Sequence, residues 1–209
     1  MTTTVLALYL PDPAPPSGDR STHPVPPDGT HLEGHAVTEP QVLARVRDES
    51  TDPANPPATR LRDILQNTRR IAVVGVSRDP TKAARRVPSY LATKGYELIP
   101  VNPNAGRILG RAARGRLGEV TEPVDLVLVF RPSEEAGAIV EEAAQRPEKP
   151  VIWLQEGIRA DEAVARARGR GLSVVQDLCI FKAHRSLDLS TGPIVPGPVA
   201  GRSPPPPPR

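Results

Sequence analysis

A single cysteine, Cys179, stands among the 209 residues, so no disulfide can form within one chain. That scarcity points to a reducing, cytoplasmic setting rather than a stapled secreted fold. Long apolar runs are missing too. The stretch VLALYL (5–10) has no basic flank and meets proline at once, too short for a signal core or for a membrane span of about 18 residues. A membrane partner is therefore not expected. Aromatic residues make up 3% of the chain, and none interleaves the basic stretch GRILGRAARGR (106–116). Its Arg107, Arg111, Arg114 and Arg116 read as a solvated loop, and a nucleic-acid partner is not expected. Glycine is short where a dinucleotide site would need it: RRIAVVGVSRDP (69–80) has only Gly75, against three glycines in G-x-G-x-x-G.

Proline, by contrast, is plentiful and unevenly placed. Of 27 prolines, 11 fall in residues 1–58 and 8 in residues 190–209, leaving 8 in the 131 residues between. Segments so rich in Pro, Gly, Ser and Asp bury too little apolar surface to offset their ordering entropy. The expected organisation is a disordered Pro-rich arm (1–58), one globular domain (59–189) and a disordered Pro-rich tail (190–209). Charge divides the same way, with 22 Lys+Arg against 16 Asp+Glu in residues 59–189 and 3 against 8 in residues 1–58. The basic domain favours an anionic partner, though sign alone does not choose among nucleotide, nucleic acid and lipid. Within the arm, EPQVLARVRDES (39–50) has a short apolar stripe at helical spacing. HLEGH (31–35) lacks the H-E-x-x-H pattern and reads as solvated, and the closing SPPPPPR favours polyproline II.

Between the arms, β and α signals alternate. Short β-branched runs at 71–76, 96–102, 124–130, 150–155 and 172–177 read as strands buried on both faces. Helical patterns fill 59–70 (Thr59 as cap), 87–95, 133–146 (Ser133 as N-cap) and 160–171. This alternation predicts an α/β, Rossmann-like three-layer domain with a five-stranded parallel sheet, whose ligands sit beyond the strands' carboxyl ends.

The residues at those ends form a compact set: Gly75, Val76 and Ser77; Asn102 and Pro103; Phe130 and Arg131; Gln155, Gly157 and Ile158; Asp177 and Cys179. Gly75 permits a tight exit and a close approach to an anion. Each alone has a plain structural reading, as turn, core or rim residue; together they share one predicted face. An NAD site fits poorly, since Asn102 stands where an acidic residue would meet the ribose.

Taken in order, the elements IAVVGVS, IPVNPN, VDLVLVFR, VIWLQEGI and VVQDLCI resemble those of the small stand-alone CoA-binding proteins. These are relatives of the CoA-binding half of the succinyl-CoA synthetase α subunit, and the resemblance covers about residues 59–187. It implies coenzyme A, or an acyl-CoA, as a small-molecule ligand across the carboxyl ends. Gly75, Val76 and Ser77 would then line the pyrophosphate site, with Lys82 and Arg86 supplying positive charge. Asn102 and Pro103 would border the adenosine, and Phe130, Arg131, Gln155, Gly157 and Ile158 the pantetheine. The pattern departs at Pro88, where such proteins carry an ordinary helix former. Because proline is tolerated only in a first helical turn, the expected helix starts at Arg86–Val87, after an open basic loop over 78–85.

No catalytic constellation accompanies these residues. The predicted domain has one histidine, His184, expected at a helix end beside Arg185, and Cys179 reads as a small half-buried residue. The expected function is a non-catalytic binding module; the alternative is an NAD(P)-binding oxidoreductase or redox sensor.

Overall fold

The computed structural model of the chain describes residues 52–189. The expectations for residues 1–51, including the stretches at 31–35 and 39–50, and for the tail at 190–209 lie outside the described residues. The first helix, α1 (Ala58–Asn67), follows Pro57, so Thr59 is inside it and does not cap it. Then come β1 (Arg70–Val74), α2 (Ala83–Thr93) and β2 (Glu97–Val101). A small hairpin, β3 (Arg107–Ile108) and β4 (Arg111–Ala112), leads through a 3-10 turn (Leu117–Glu119) into β5 (Leu126–Val129). The chain closes with α3 (Ser133–Ala144), β6 (Val151–Leu154), α4 (Asp161–Gly169), β7 (Val174–Val175) and α5 (Ile180–Ser186).

The five longer-range strands make one parallel sheet in the order β2-β1-β5-β6-β7. The pleat sends alternate residues to opposite faces. Ile71, Val73, Leu126, Leu128 and Trp153 pack with α1, α2 and α5, whereas Ala72, Val74, Val127, Val129, Ile152 and Leu154 pack with α3 and α4. The result is the expected three-layer α/β Rossmann-like domain. Indole Nε1 of Trp153 donates to Leu178 O at 2.7 Å, so the largest core side chain is buried with its polar atom satisfied.

Both sheet edges are covered. Beside β2, the Arg114 N–H donates to Pro100 O at 2.9 Å and Arg114 O accepts from Asn102 N–H at 2.8 Å. Beyond β7, the side-chain amide of Asn55 takes the place of a sixth strand. Its Nδ2 donates to Gln176 O at 2.7 Å, and its Oδ1 accepts from Gln176 N–H at 2.9 Å. The strand β7 itself spans two residues rather than the expected 172–177. The Asn55 pairing carries the packed chain back to Asp52, ahead of Thr59. Asp52 accepts from Gln176 Nε2 at 3.0 Å and from Arg168 Nη2 at 3.1 Å. Burial opposes its charge, but the Ala54 N–H, Gln176 and Arg168 outweigh that and hold its carboxyl below the usual range.

Two further expectations are corrected. The α2 helix begins at Ala83, three to four residues before the expected Arg86–Val87, and Pro88 lies inside it with its ring buried. An interior proline costs about 3 kcal/mol, because it gives up an N–H and crowds the carbonyl four residues back. That carbonyl, Ala84 O, is satisfied instead by the N–H of Ser77 at 3.0 Å. Ser133 is the first residue of α3 rather than its cap; Pro132 precedes the helix and the Ser133 hydroxyl accepts from Arg159 N–H at 3.0 Å. His184 is in the last turn of α5 beside Arg185, as expected, and is fully buried there, with its Nδ1 3.0 Å from the Tyr90 hydroxyl.

Candidate functional site

The chain leaves β1 toward β2 on one side, and the later strands β5, β6 and β7 lie on the other. The carboxyl ends of β1 and β5 therefore flank the topological switch point, where sheets of this kind open a crevice. Gly75 follows β1 with φ +84°, a left-handed conformation that favours glycine. An added β-carbon there would lie 2.8 Å from Arg131 Cδ and 3.2 Å from the Phe130 carbonyl carbon. The close approach that Gly75 permits is thus taken up by Arg131. Its guanidinium is fixed in turn by Glu135, at 2.9 Å from Nε and 2.6 Å from Nη2.

The loop after Gly75 is a compact turn, in contrast to the expected open stretch over 78–85. The Ser77 hydroxyl accepts from Asp79 N–H at 3.1 Å, and Asp79 Oδ1 accepts from both the N–H and the hydroxyl of Thr81. Those Thr81 bonds, the hydroxyl first, lower the Asp79 carboxyl pKa. Asn102, at the end of β2, donates through Nδ2 to Val76 O at 2.7 Å and accepts from Asn104 N–H through Oδ1. Adjacent Pro103 is exposed. Gly75, Val76, Ser77, Asn102, Phe130 and Arg131 are therefore neighbours at one end of the sheet.

This loop delivers the chain into the N-terminus of α2, which, like those of α1 and α5, has no side-chain cap and no acidic residue in its first turn. Lys82 precedes the helix. The corresponding turns of α3 and α4 carry Glu134 and Glu135, and Asp161 and Glu162. The positive end of a helix dipole disfavours cations, yet α2 starts with Lys82, Arg85 and Arg86, with Arg78 just upstream. Among the described residues no ion pair engages Arg78, Arg85 or Arg86, and Arg85 Nη1 is buried without a hydrogen-bond partner. Arg78, Lys82 and Arg86 are exposed. The arrangement suits a polyanion, which would neutralise the cations and take up the free helix-end amides.

The arginines of the 106–116 hairpin behave differently. Arg111, Arg114 and Arg116 lie 3.8, 3.0 and 3.5 Å from Glu97, Glu122 and Glu119 respectively. Their charge is spent within the fold.

The carboxyl ends of β6 and β7 form a second group. Gln155 is buried; its Oε1 accepts from Ile180 N–H at 2.8 Å, and its Nε2 lies 3.7 Å from Cys179 Sγ. Gly157 donates its N–H to Asp177 Oδ1 at 2.6 Å, and Ile158 closes the turn by donating to Gln155 O at 2.9 Å. Gln155 therefore faces inward as a brace for α5, while Gly157 and Ile158 remain near the surface. The structuring role of Asp177 was not read from the sequence. An aspartate ending a strand, of a type that tolerates a left-handed backbone, was the available signal; its φ is +52°. Among the described residues no group of three or more His, Cys, Asp or Glu could hold a metal, and no helix is long and apolar enough to cross a membrane. An open cleft of about 390 Å³, lined by Leu117, Val120, Pro123 and Arg146, lies at the start of β5, at the opposite end of the sheet.

The CoA binding domain family matches this chain over residues 69–185. The uncharacterized protein YneT of Bacillus subtilis is 40% identical over 130 residues, covering 62% of this chain and 96% of its own. A hypothetical protein from Pyrococcus horikoshii aligns with TM-score 0.62 at 31% identity, over 66% of this chain and 98% of the other. The α subunit of an ADP-forming acetate–CoA ligase II from Pyrococcus furiosus is 27% identical over 140 residues, which span 61% of this chain and 31% of that subunit.

Proposed function

Because the chain belongs to the CoA-binding domain family, we propose that it binds coenzyme A or an acyl-CoA at the carboxyl ends of the sheet, as a module without catalytic chemistry of its own. The observation that carries this reading is the group of cations, Arg78, Lys82, Arg85 and Arg86, gathered where the chain leaves the carboxyl end of β1 and enters α2. CoA has a pyrophosphate and a ribose phosphate, the latter adding about two negative charges near neutral pH. Lys82 and Arg86 would meet the phosphates beside Gly75, Val76 and Ser77. Asn102 and Pro103 would border the adenosine, and Phe130, Arg131, Gly157 and Ile158 the pantetheine. Gln155 would act from beneath, holding the start of α5.

The non-catalytic reading draws support from the groups best suited to chemistry. His184 is locked in the core against Tyr90, and Cys179 is buried beside Gln155. The matched ligase subunit is about three times as long as the region it shares with this chain. A reducing, cytoplasmic setting suits the one thiol.

Titration calorimetry at moderate salt tests the ligand. CoA should bind, dephospho-CoA more weakly, and NADH little, because the ribose phosphate is the main charge difference the basic loop can read. Tight NADH binding without a CoA signal would replace this reading with a redox one.

A further inference from the structure

In a regular helix the carbonyl of residue 84 would accept from the N–H of residue 88. Position 88 is proline, which has no N–H and whose ring crowds the carbonyl four residues back. Ala84 O instead accepts from Ser77 N–H at 3.0 Å. Ser77 is the residue through which β1's exit turn enters the cationic loop. On its other side, Asn102 Nδ2 holds Val76 O at 2.7 Å. The loop is thereby tied at adjacent residues, to β2 through Val76 and to α2 through Ser77.

We infer that Pro88, given CoA binding at this loop, is a positioning residue: by lacking an N–H it reserves the Ala84 carbonyl for Ser77 and holds the loop in its binding shape. One chemical consequence follows. The Ser77 amide is committed to the protein, so phosphate recognition at this loop falls to the Ser77 hydroxyl, the cationic side chains and the first amides of α2. The device is a backbone acceptor withheld from its own helix and lent to the ligand loop.

Pro88→Ala supplies the missing N–H and so a competitor for Ala84 O, while improving helix propensity. In the ligand-free protein, amide exchange at Ser77 followed by NMR should become at least about tenfold faster. Affinity for CoA should fall roughly three- to tenfold, without a lower unfolding temperature. Replacing Pro88 with lactic acid, whose ester link has no N–H and no ring, should return both Ser77 protection and affinity. Merely structural proline would show neither the exchange change nor the rescue. Unchanged Ser77 exchange in Pro88→Ala, faster exchange with CoA affinity intact, or a loss that lactic acid does not restore would each overturn the inference. Absence of CoA binding by the unaltered protein would overturn the binding reading, and the exchange rates would still decide the hydrogen bond.

Discussion

The aliphatic part of Arg131 crosses the backbone of Gly75 so closely that a β-carbon on Gly75 would stand 2.8 Å from its Cδ. Gly75→Ala should therefore destabilise the domain twice over. It forces a left-handed backbone on alanine, costing about 1–2 kcal/mol, and it displaces Arg131 from Glu135. We expect a loss of roughly 1–3 kcal/mol in urea unfolding and weaker CoA binding. A stability equal to that of the unaltered protein would show that the crossing relaxes at no cost.

Asn55 closes the sheet edge with a side chain, pairing with both polar backbone groups of Gln176. Asn55→Ala removes both partners at once. Each such bond contributes about 0.5–1.5 kcal/mol, so the urea midpoint should drop by an amount equivalent to about 1–3 kcal/mol. Amide exchange at Gln176 should rise while that of β1 and β5 changes only with global stability.

Arg86 lies exposed in the first turn of α2, in the cationic group assigned to the ligand phosphates. Arg86→Glu should leave the fold intact, because the side chain is not in the core. Affinity for CoA should fall by roughly tenfold, and the dependence on salt should flatten, since one charge-assisted contact is replaced by a repulsion. Equal affinity in the folded variant would remove Arg86 from the site.

His184 offers a pH test. Burial, and then the nearby Lys94 charge, push its imidazole pKa below the ordinary 6.5. Around it stand Tyr90, with its hydroxyl at 3.0 Å from Nδ1, and the Tyr96 ring at 5.8 Å. The unfolded chain takes up this proton more readily, so the contribution is fully present above about pH 6.5 and declines as pH falls below it. Unfolding midpoints at pH 7.5 and pH 5 should differ more for the unaltered protein than for His184→Gln. Identical differences would place the titrating group elsewhere.

The order of the five sheet strands and of α1 to α4 was legible in the sequence because it is local, whereas the β3–β4 hairpin and α5 were not read from it. Runs such as IAVVGV and VDLVLVF are β-branched and short, while the stretches between them repeat at helical spacing, and a parallel sheet follows from that alternation. The strand-end residues could be named for the same reason, since every parallel strand ends on one side. Tertiary structure alone decided how their polar atoms are satisfied. Gln155, assigned to the ligand surface from its position, turns inward because the first N–H of α5 needs an acceptor. Asn55 finds Gln176 across 121 residues of sequence. His184 is drawn into the core by Tyr90 and Tyr96, which local spacing does not reveal. Pro88 sharpens the distinction. By propensity it should have delayed the helix, yet α2 starts at Ala83, because the acceptor that proline leaves open meets a donor from another segment. Periodicity is written within a dozen consecutive residues, whereas the partner of a buried carbonyl is chosen only when distant parts of the chain come together.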